Sequence, residues 1–363
     1  MAYFLWGRVL LTIGAAEAAL PPVSEAQQRF QADNASAEIM ASVAIAEAGQ
    51  CLIYLGRYDE AAAAYEENIQ RAEKLGDRRQ TAVGRGNLGT LRLYQKRYGE
   101  ALESHREALR IFDSLGEPGH VAIAWHQIGV VHKNAGQFEQ AEQACRQSLA
   151  IEVQQQNRAG EASSLGELGN LYDQTGRLEE AATFYRQAAD IAAQLQDKGK
   201  EGLRRSNLAG TLINLQRYDE ARRELHLAIE CIKPFGHAAE PWNTWAILHN
   251  LELATGNEEA AEAARGQAIA SYLAYRRAGG ESQSNAAQLF AIVSQAIQQG
   301  ATTEAEQNLD ELSRGDIPAW AKTLVAGLRA ILRGDRDPAL AADPNLDYDD
   351  AAELQLLLEK LGS

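Results

Sequence analysis

Seven histidines, at positions 105, 120, 126, 132, 226, 237 and 249, are the first side chains to test for proton transfer or metal binding. His126 and His132 stand six apart, which does not put them on one helix face. Cys51, Cys145 and Cys231 are far apart, with no CxxC and no Cys/His cluster at metal-ligand spacing. An odd cysteine count fits a reducing compartment and buried, inert thiols. The chain has no GxxxxGK[ST] phosphate loop, no GxGxxG, no HExxH and no GxSxG. Carboxylates are plentiful, but they gather at helix starts and on outer faces, where water solvates them. The expectation is a protein without catalysis, cofactor or metal.

Acidic residues number 50 against 35 basic ones, a formal charge of −15. A nucleic-acid binder needs a basic stripe to displace counterions from phosphates, and this balance argues against one and against anionic lipid. Only 8 prolines interrupt an alanine-rich chain, and β-branched runs bounded by turn signals are missing, so the expected class is all-α. The opening MAYFLWGRVLLTIGAAEAAL lacks a basic start and carries Arg8 in its middle. It is too interrupted to span a bilayer and reads as the first helix of the array, in a cytoplasmic protein.

The elements that would position any functional side chain come from an internal period. LGRYDEAAAAY from Leu55, QKRYGEALESH from Gln95, AGQFEQAEQAC from Ala135, TGRLEEAATFY from Thr175, LQRYDEARREL from Leu215 and TGNEEAAEAAR from Thr255 start forty residues apart. Tyr58, Tyr98, Phe138, Leu178 and Tyr218 share one column. Ala61, Ala101, Ala141, Ala181, Ala221 and Ala261 share the next. Twelve residues before each alanine stands a small residue, Gly49, Gly89, Gly129, Gly169 or Ala209, broken at His249. A third column, seven residues after the alanine, holds Asn68, Ala108, Ser148, Ala188, Ala228 and Ala268. Glycine inside a helix costs about 1 kcal/mol against alanine, so its recurrence calls for a close helix crossing. Between the columns lie two amphipathic helices per unit, A near 79–95 and B near 99–115 in the third. Gly56, Gly136, Gly176 and Gly256 suit left-handed caps in the turn.

This pattern, with Asn87-Leu88-Gly89, the turn glycine, the aromatic opening helix B and the alanine after it, resembles the tetratricopeptide repeat family. The longer unit is similar to the extended-helix variety of kinesin light chains, Pins-like adaptors and the sensor regions of bacterial signal-transducing ATPases. The resemblance implies a right-handed α-solenoid of about eight helix pairs with a terminal capping helix. The expected divisions are an irregular N-terminal repeat at 1–34, a core array at 35–278 and degenerate repeats with the cap at 279–363. An eighth pair is expected at 282–299 and 303–313, a ninth A helix at 318–333, and the terminal helix at 348–361.

In that family the A helices line a concave groove. Counting the small column as the eighth position of helix A, the second, fifth, ninth, twelfth and thirteenth positions face it. They yield Gln50, Tyr54, Thr90, Tyr94, His126, Lys133, Asn134, Asn170, Gln174, Asn214 and Asn250 as the candidate peptide-binding surface. Carboxamides donate and accept at once, which suits an extended peptide backbone, and tyrosines offer rigid contacts. The family's carboxylate clamp is not expected, because Arg85, Arg204 and Arg205 fall one or two positions off the groove. The expected function is a protein-interaction scaffold for a peptide or partner helix. The alternative is a sensor module of a larger signal-transducing ATPase. Trp242, Trp245 and Trp320 read as packing where the array closes, with self-association through Trp242 and Trp245 as the rival reading.

Overall fold

A computed structural model describes residues 2–12, 16–30, 35–315 and 317–362. The described residues form eighteen α-helices and no strand, in two compact units, Met1–Gln196 and Asp197–Ser363. The first unit holds α1 (Ala2–Thr12), α2 (Ala16–Phe30), α3 (Ala35–Tyr54), α4 (Tyr58–Leu75), α5 (Arg78–Tyr94), α6 (Tyr98–Ser114), α7 (Pro118–Asn134), α8 (Phe138–Gln154), α9 (Arg158–Gln174) and α10 (Leu178–Gln194). Each helix packs on the next, and A helices also touch A helices, α3 on α5, α5 on α7 and α7 on α9.

The forty-residue period is two seventeen-residue helices and two three-residue turns. Each turn closes with a left-handed residue whose amide returns to the helix it leaves. Lys96 N–H donates to Leu93 O, and Arg97 N–H to Arg92 O. Glycine takes that place at Gly56, Gly136 and Gly176, with φ between +68° and +76°. Lys96 (φ 59°) and Gln156 (φ 55°) occupy it with a Cβ that crowds the following carbonyl. Lys96→Gly and Gln156→Gly are each expected to raise unfolding free energy by about 0.5–1 kcal/mol, read in a urea titration. A result at or below zero would mean that the gain in unfolded-chain entropy outweighs the relieved strain.

The B helices start without a side-chain cap. Arginine stands at the N-cap of α4, α6 and α10 and pairs with the glutamate three residues on, Arg57 with Glu60, Arg97 with Glu100 and Arg177 with Glu180, whereas α8 has Gln137 there. That carboxylate sits in the first turn, where the helix dipole favours it. Several A helices begin instead with a side-chain oxygen accepting an amide, Asp77 from Gln80 N–H and Asn157 from Gly160 N–H.

The small column does what its recurrence required. A Cβ built on Gly49 would lie 2.6 Å from the Tyr65 ring, on Gly89 2.8 Å from His105, on Gly129 2.6 Å from Cys145 Sγ, and on Gly169 2.7 Å from the Tyr185 ring. Gly7 meets Val23 in the same way in the first pair. Each contact joins helix A to the B-helix residue four places after the column alanine. Those six alanines are fully buried. The polar members of the third column bond to the preceding A helix: Asn68 Nδ2 donates to Ser42 O, and Ser148 Oγ to Ala122 O.

The second unit comprises α11 (Lys198–Asn214), α12 (Tyr218–Ile232), a 3₁₀ segment at Lys233–Ala239, α13 (Pro241–Ala254), α14 (Glu258–Arg277), α15 (Ala287–Gln299), α16 (Thr302–Arg314), α17 (Ala319–Leu332), a 3₁₀ turn at Pro338–Ala341 and α18 (Tyr348–Gly362). Helix α18 caps the paired helices by packing on α14, with α15 and α17 on its other side. Leu354, Leu357 and Leu358 join Phe290, Val293, Leu324 and Leu328 in one core. Glu353 ties α18 to α14 through Arg276 and the Tyr272 hydroxyl.

Trp242 is fully buried among Ala268, Tyr272, Leu273 and Ala352, its ring edge-on to Tyr272, and Trp245 packs beside the same cluster. Trp242 therefore offers nothing to a self-association patch, because α14 and α18 already cover it. The i, i+3 aromatic stripe serves the core. Trp320 likewise packs against the C-terminal cluster.

Candidate binding surface

The A-helix face of the first unit is where the sequence placed most candidate residues. Tyr54 and Tyr94 end α3 and α5 at the same register and are 63% and 52% exposed. Burial, then neighbouring Cys51 and Glu47 and these two tyrosines, pushes the Tyr65 hydroxyl up, so three phenols gather at this edge. Tyr65 is the buried member, filling the space that Gly49 leaves, and the other two present their rings outward. Gln50 and Thr90 are half-buried beside them, Thr90 with its hydroxyl turned back to Gly86 O. Gly86 adds to the open floor, since a Cβ there would meet nothing within 4 Å.

Further along the same unit the face becomes a polar chain. Lys133 Nζ lies 2.7 Å from Glu167 Oε1, and Asn170 Nδ2 donates to Glu167 Oε2 at 3.0 Å. The Tyr185 hydroxyl donates to Asn170 Oδ1 at 2.8 Å. Burial opposes the charge on Glu167, but the Lys133 ammonium and the Asn170 and His126 contributions hold its carboxyl below the usual range. Asn170 thus spends one donor and one acceptor inside the protein and keeps one of each. Its first partner lies three residues back on its own helix. Its second is the ring packed on the small column one residue before it. Asn134 donates to Val130 O, one turn back, while remaining exposed, and Gln174 is exposed at the same register. Sequence reasoning missed Ile123, 55% exposed on α7. Its signal was its place on the groove-facing second position of helix A.

In the second unit, Asn214 is exposed at the end of α11. Asn250 has different company, lining a cavity that the chain's own segment 344–349 closes against α13 and α14. The arginines set aside for a carboxylate clamp are engaged elsewhere. Arg85 pairs with Glu73 and Glu107, and Arg205 with Glu201 and Glu224. The cysteines are buried, and burial pushes the Cys51 thiol up to about 11 and Cys145 up to about 12. No helix among the described residues is long and apolar enough to cross a membrane.

Comparison with known proteins gives this geometry a setting. The tetratricopeptide repeat family model matches residues 40–114 and 120–194. Among solved structures, BtubC (BKLC) from P. vanneervenii superposes with a TM-score of 0.55 at 19% identity, over 61% of this chain and 92% of that one. A Signal Transduction ATPase with Numerous Domains protein from Pyrococcus horikoshii, with a tetratricopeptide repeat sensor, gives 0.60 at 16%, over 76% of this chain and 42% of that one. The apo form of RapI gives 0.54 at 14%, over 76% and 98%. At these identities the likeness is one of fold. A search of curated protein sequences found no match.

Proposed function

Because the chain is a tetratricopeptide-repeat protein, and so carries a protein-interaction fold, we propose that the A-helix face of its first unit binds an extended peptide whose side chains are mainly neutral and apolar. The observation that carries this reading is the pair Tyr54 and Tyr94, two rings more than half exposed at one register of successive A helices. Exposed tyrosines in a row are costly to leave in water and effective when covered, because each buries a large rigid area with little entropy loss. Around them the face carries hydroxyls, amides and Ile123, and its one lysine is neutralised by Glu167. A peptide lying across this row would cover the rings with apolar side chains. Its backbone would bond to Gln50, Thr90 and Asn134, and to the remaining donor and acceptor of Asn170.

The test is selection of peptides from a random displayed library on the full chain. Selected peptides are expected to lose roughly tenfold or more in affinity to the Tyr54→Ala/Tyr94→Ala variant, about 1.4 kcal/mol. The circular-dichroism melt should not move, since both rings are on the surface. Peptides that bind wild type and variant alike would refute the assignment.

A second reading makes this same face the sensor of a larger signalling ATPase. The Pyrococcus protein supports it, because that ATPase carries a tetratricopeptide repeat sensor and this chain spans 42% of it. Co-purification of an ATPase, released by a selected peptide, would support that arrangement. An ATPase absent from the purified complex would count against it.

A further inference from the structure

The seventh helix pair, α13 with α14, breaks the repeat twice, and both breaks meet at one cavity. In the first unit a glycine on helix A receives the B-helix side chain four places after the column alanine. Here the glycine position is His249 and its opposite number is Arg265. His249 Nδ1 donates to Ala261 O, which leaves its Nε2 as an acceptor in the neutral ring. Arg265 is only 5% exposed, and its Nη2 donates to Asp343 O at 2.9 Å and Leu346 O at 3.1 Å. It forms no ion pair among the described residues.

One nitrogen therefore fastens the C-terminal segment, and a neutral donor would serve for that task. The guanidinium has three further N–H groups and a full charge. A buried cation with no carboxylate partner is costly unless something anionic joins it. The cavity it lines has a volume of about 350 Å³, within the range of small-molecule sites. Its other walls are Ala246, His249 and Asn250 on α13 and residues 344–349. That last segment brings negative charge: oxygens of Asp347, Asp349 and Asp350 converge within 4.8 Å, and Asp347 and Asp349 face the cavity. One small enclosure thus offers a fixed cation from α14 and carboxylates from the start of α18.

We propose that this cavity binds a small zwitterion, a free α-amino acid. Its carboxylate meets the remaining N–H groups of Arg265 and the amide of Asn250, and its ammonium meets Asp347 and Asp349. An anion alone would face two carboxylates, and a cation alone would face Arg265. A molecule carrying both charges a few ångströms apart satisfies each wall. The ligand also touches the segment that Arg265 fastens, so its binding is expected to tighten the hold of α18 on α14. This site lies within the second unit and does not depend on the peptide face proposed for the first.

The experiment is isothermal titration of the full chain with each proteinogenic α-amino acid, then with the N-acetyl and α-amide forms of any that bind. One molecule is expected per chain, and each cap, which removes one charge, is expected to weaken binding roughly tenfold or more. Ala246→Trp fills the cavity and abolishes binding. Asp347→Asn, at an exposed residue whose helix-capping ability is kept, weakens it and guards against a folding defect in the first variant. Glu103→Ala, at an exposed residue of α6 in the first unit, leaves it unchanged. Absence of binding by every amino acid at millimolar concentration would overturn the proposal. So would capped forms that bind equally well, or a folded Ala246→Trp protein that binds like wild type.

Discussion

Gly169→Ala is expected to lower the stability of the chain by about 2 kcal/mol, whereas Gly86→Ala is expected to raise it by up to about 1 kcal/mol. Both glycines lie inside A helices, and in both cases alanine improves helix propensity. They differ in what their missing side chains face. At Gly86 a methyl enters open space. At Gly169 it enters the Tyr185 ring at 2.7 Å, and a ring wedged between helices cannot yield as a flexible chain would. The overpacking cost of about 1–3 kcal/mol then exceeds the propensity gain, with a fall of roughly 4–8 °C in Tm. The next pair of helices indicates the rescue, since Ala209 is there matched by Leu225. Tyr185→Leu alone loses buried area and the bond to Asn170, but combined with Gly169→Ala it is expected to cost less than the two singles together. Additive effects in that cycle would mean the column is not set by this contact.

That contact also explains what could be read in the sequence. A glycine forced by a neighbouring side chain recurs wherever the neighbour recurs, so the columns fix the helix positions. The third unit's helices fall within one residue of expectation, 78–94 against 79–95 for helix A. Past α14 the columns fade and the reading coarsens. The eighth pair was expected from 282, but α15 begins at Ala287, after an extended stretch held by Ser284 and the Tyr272 hydroxyl. The seat of α18 on α14 depends on contacts about eighty residues apart, such as Tyr272 with Glu353, and no period announces them. At the candidate surface, register placed Tyr54, Tyr94 and Asn134 at exposed positions. It could not say that Asn170 would turn to Glu167 and Tyr185, because that is a choice among rotamers made by neighbours. Nor could it show that Asn250 would share a cavity with segment 344–349.

His105 carries the second large effect. It stands where Tyr65 and Tyr185 stand in other repeats, 1% exposed against Gly89, and burial pushes its pKa down from about 6.5 to about 4. The unfolded chain therefore binds a proton that the folded chain refuses, and stability is lost as pH falls from about 6.5 towards 4. At 1.36 kcal/mol per unit the full loss approaches about 3 kcal/mol, and it levels off below pH 4, where both states are protonated. Two other effects overlap this window. Burial pushes Asp350 up to about 6, so its ionisation costs stability as pH rises and its protonation restores some as pH falls. Glu142, Glu201 and Glu252 are held low against their burial, by Tyr172 and Arg146, by Lys198 and Arg205, and by Arg222, and they withdraw stability only at the acid end. The difference between wild type and His105→Leu removes these shared contributions. Leucine is the residue already found at this place in the repeat of Ala209, and it cannot titrate. Urea titrations at a series of pH values are expected to show the variant gaining on wild type as pH falls, because it lacks the acid loss, by about 2–3 kcal/mol between pH 7 and pH 4. A constant gap across that range would mean that His105 keeps its proton in the folded state, and that the B-helix side chain opposite Gly89 is less tightly enclosed than its 2.8 Å approach requires.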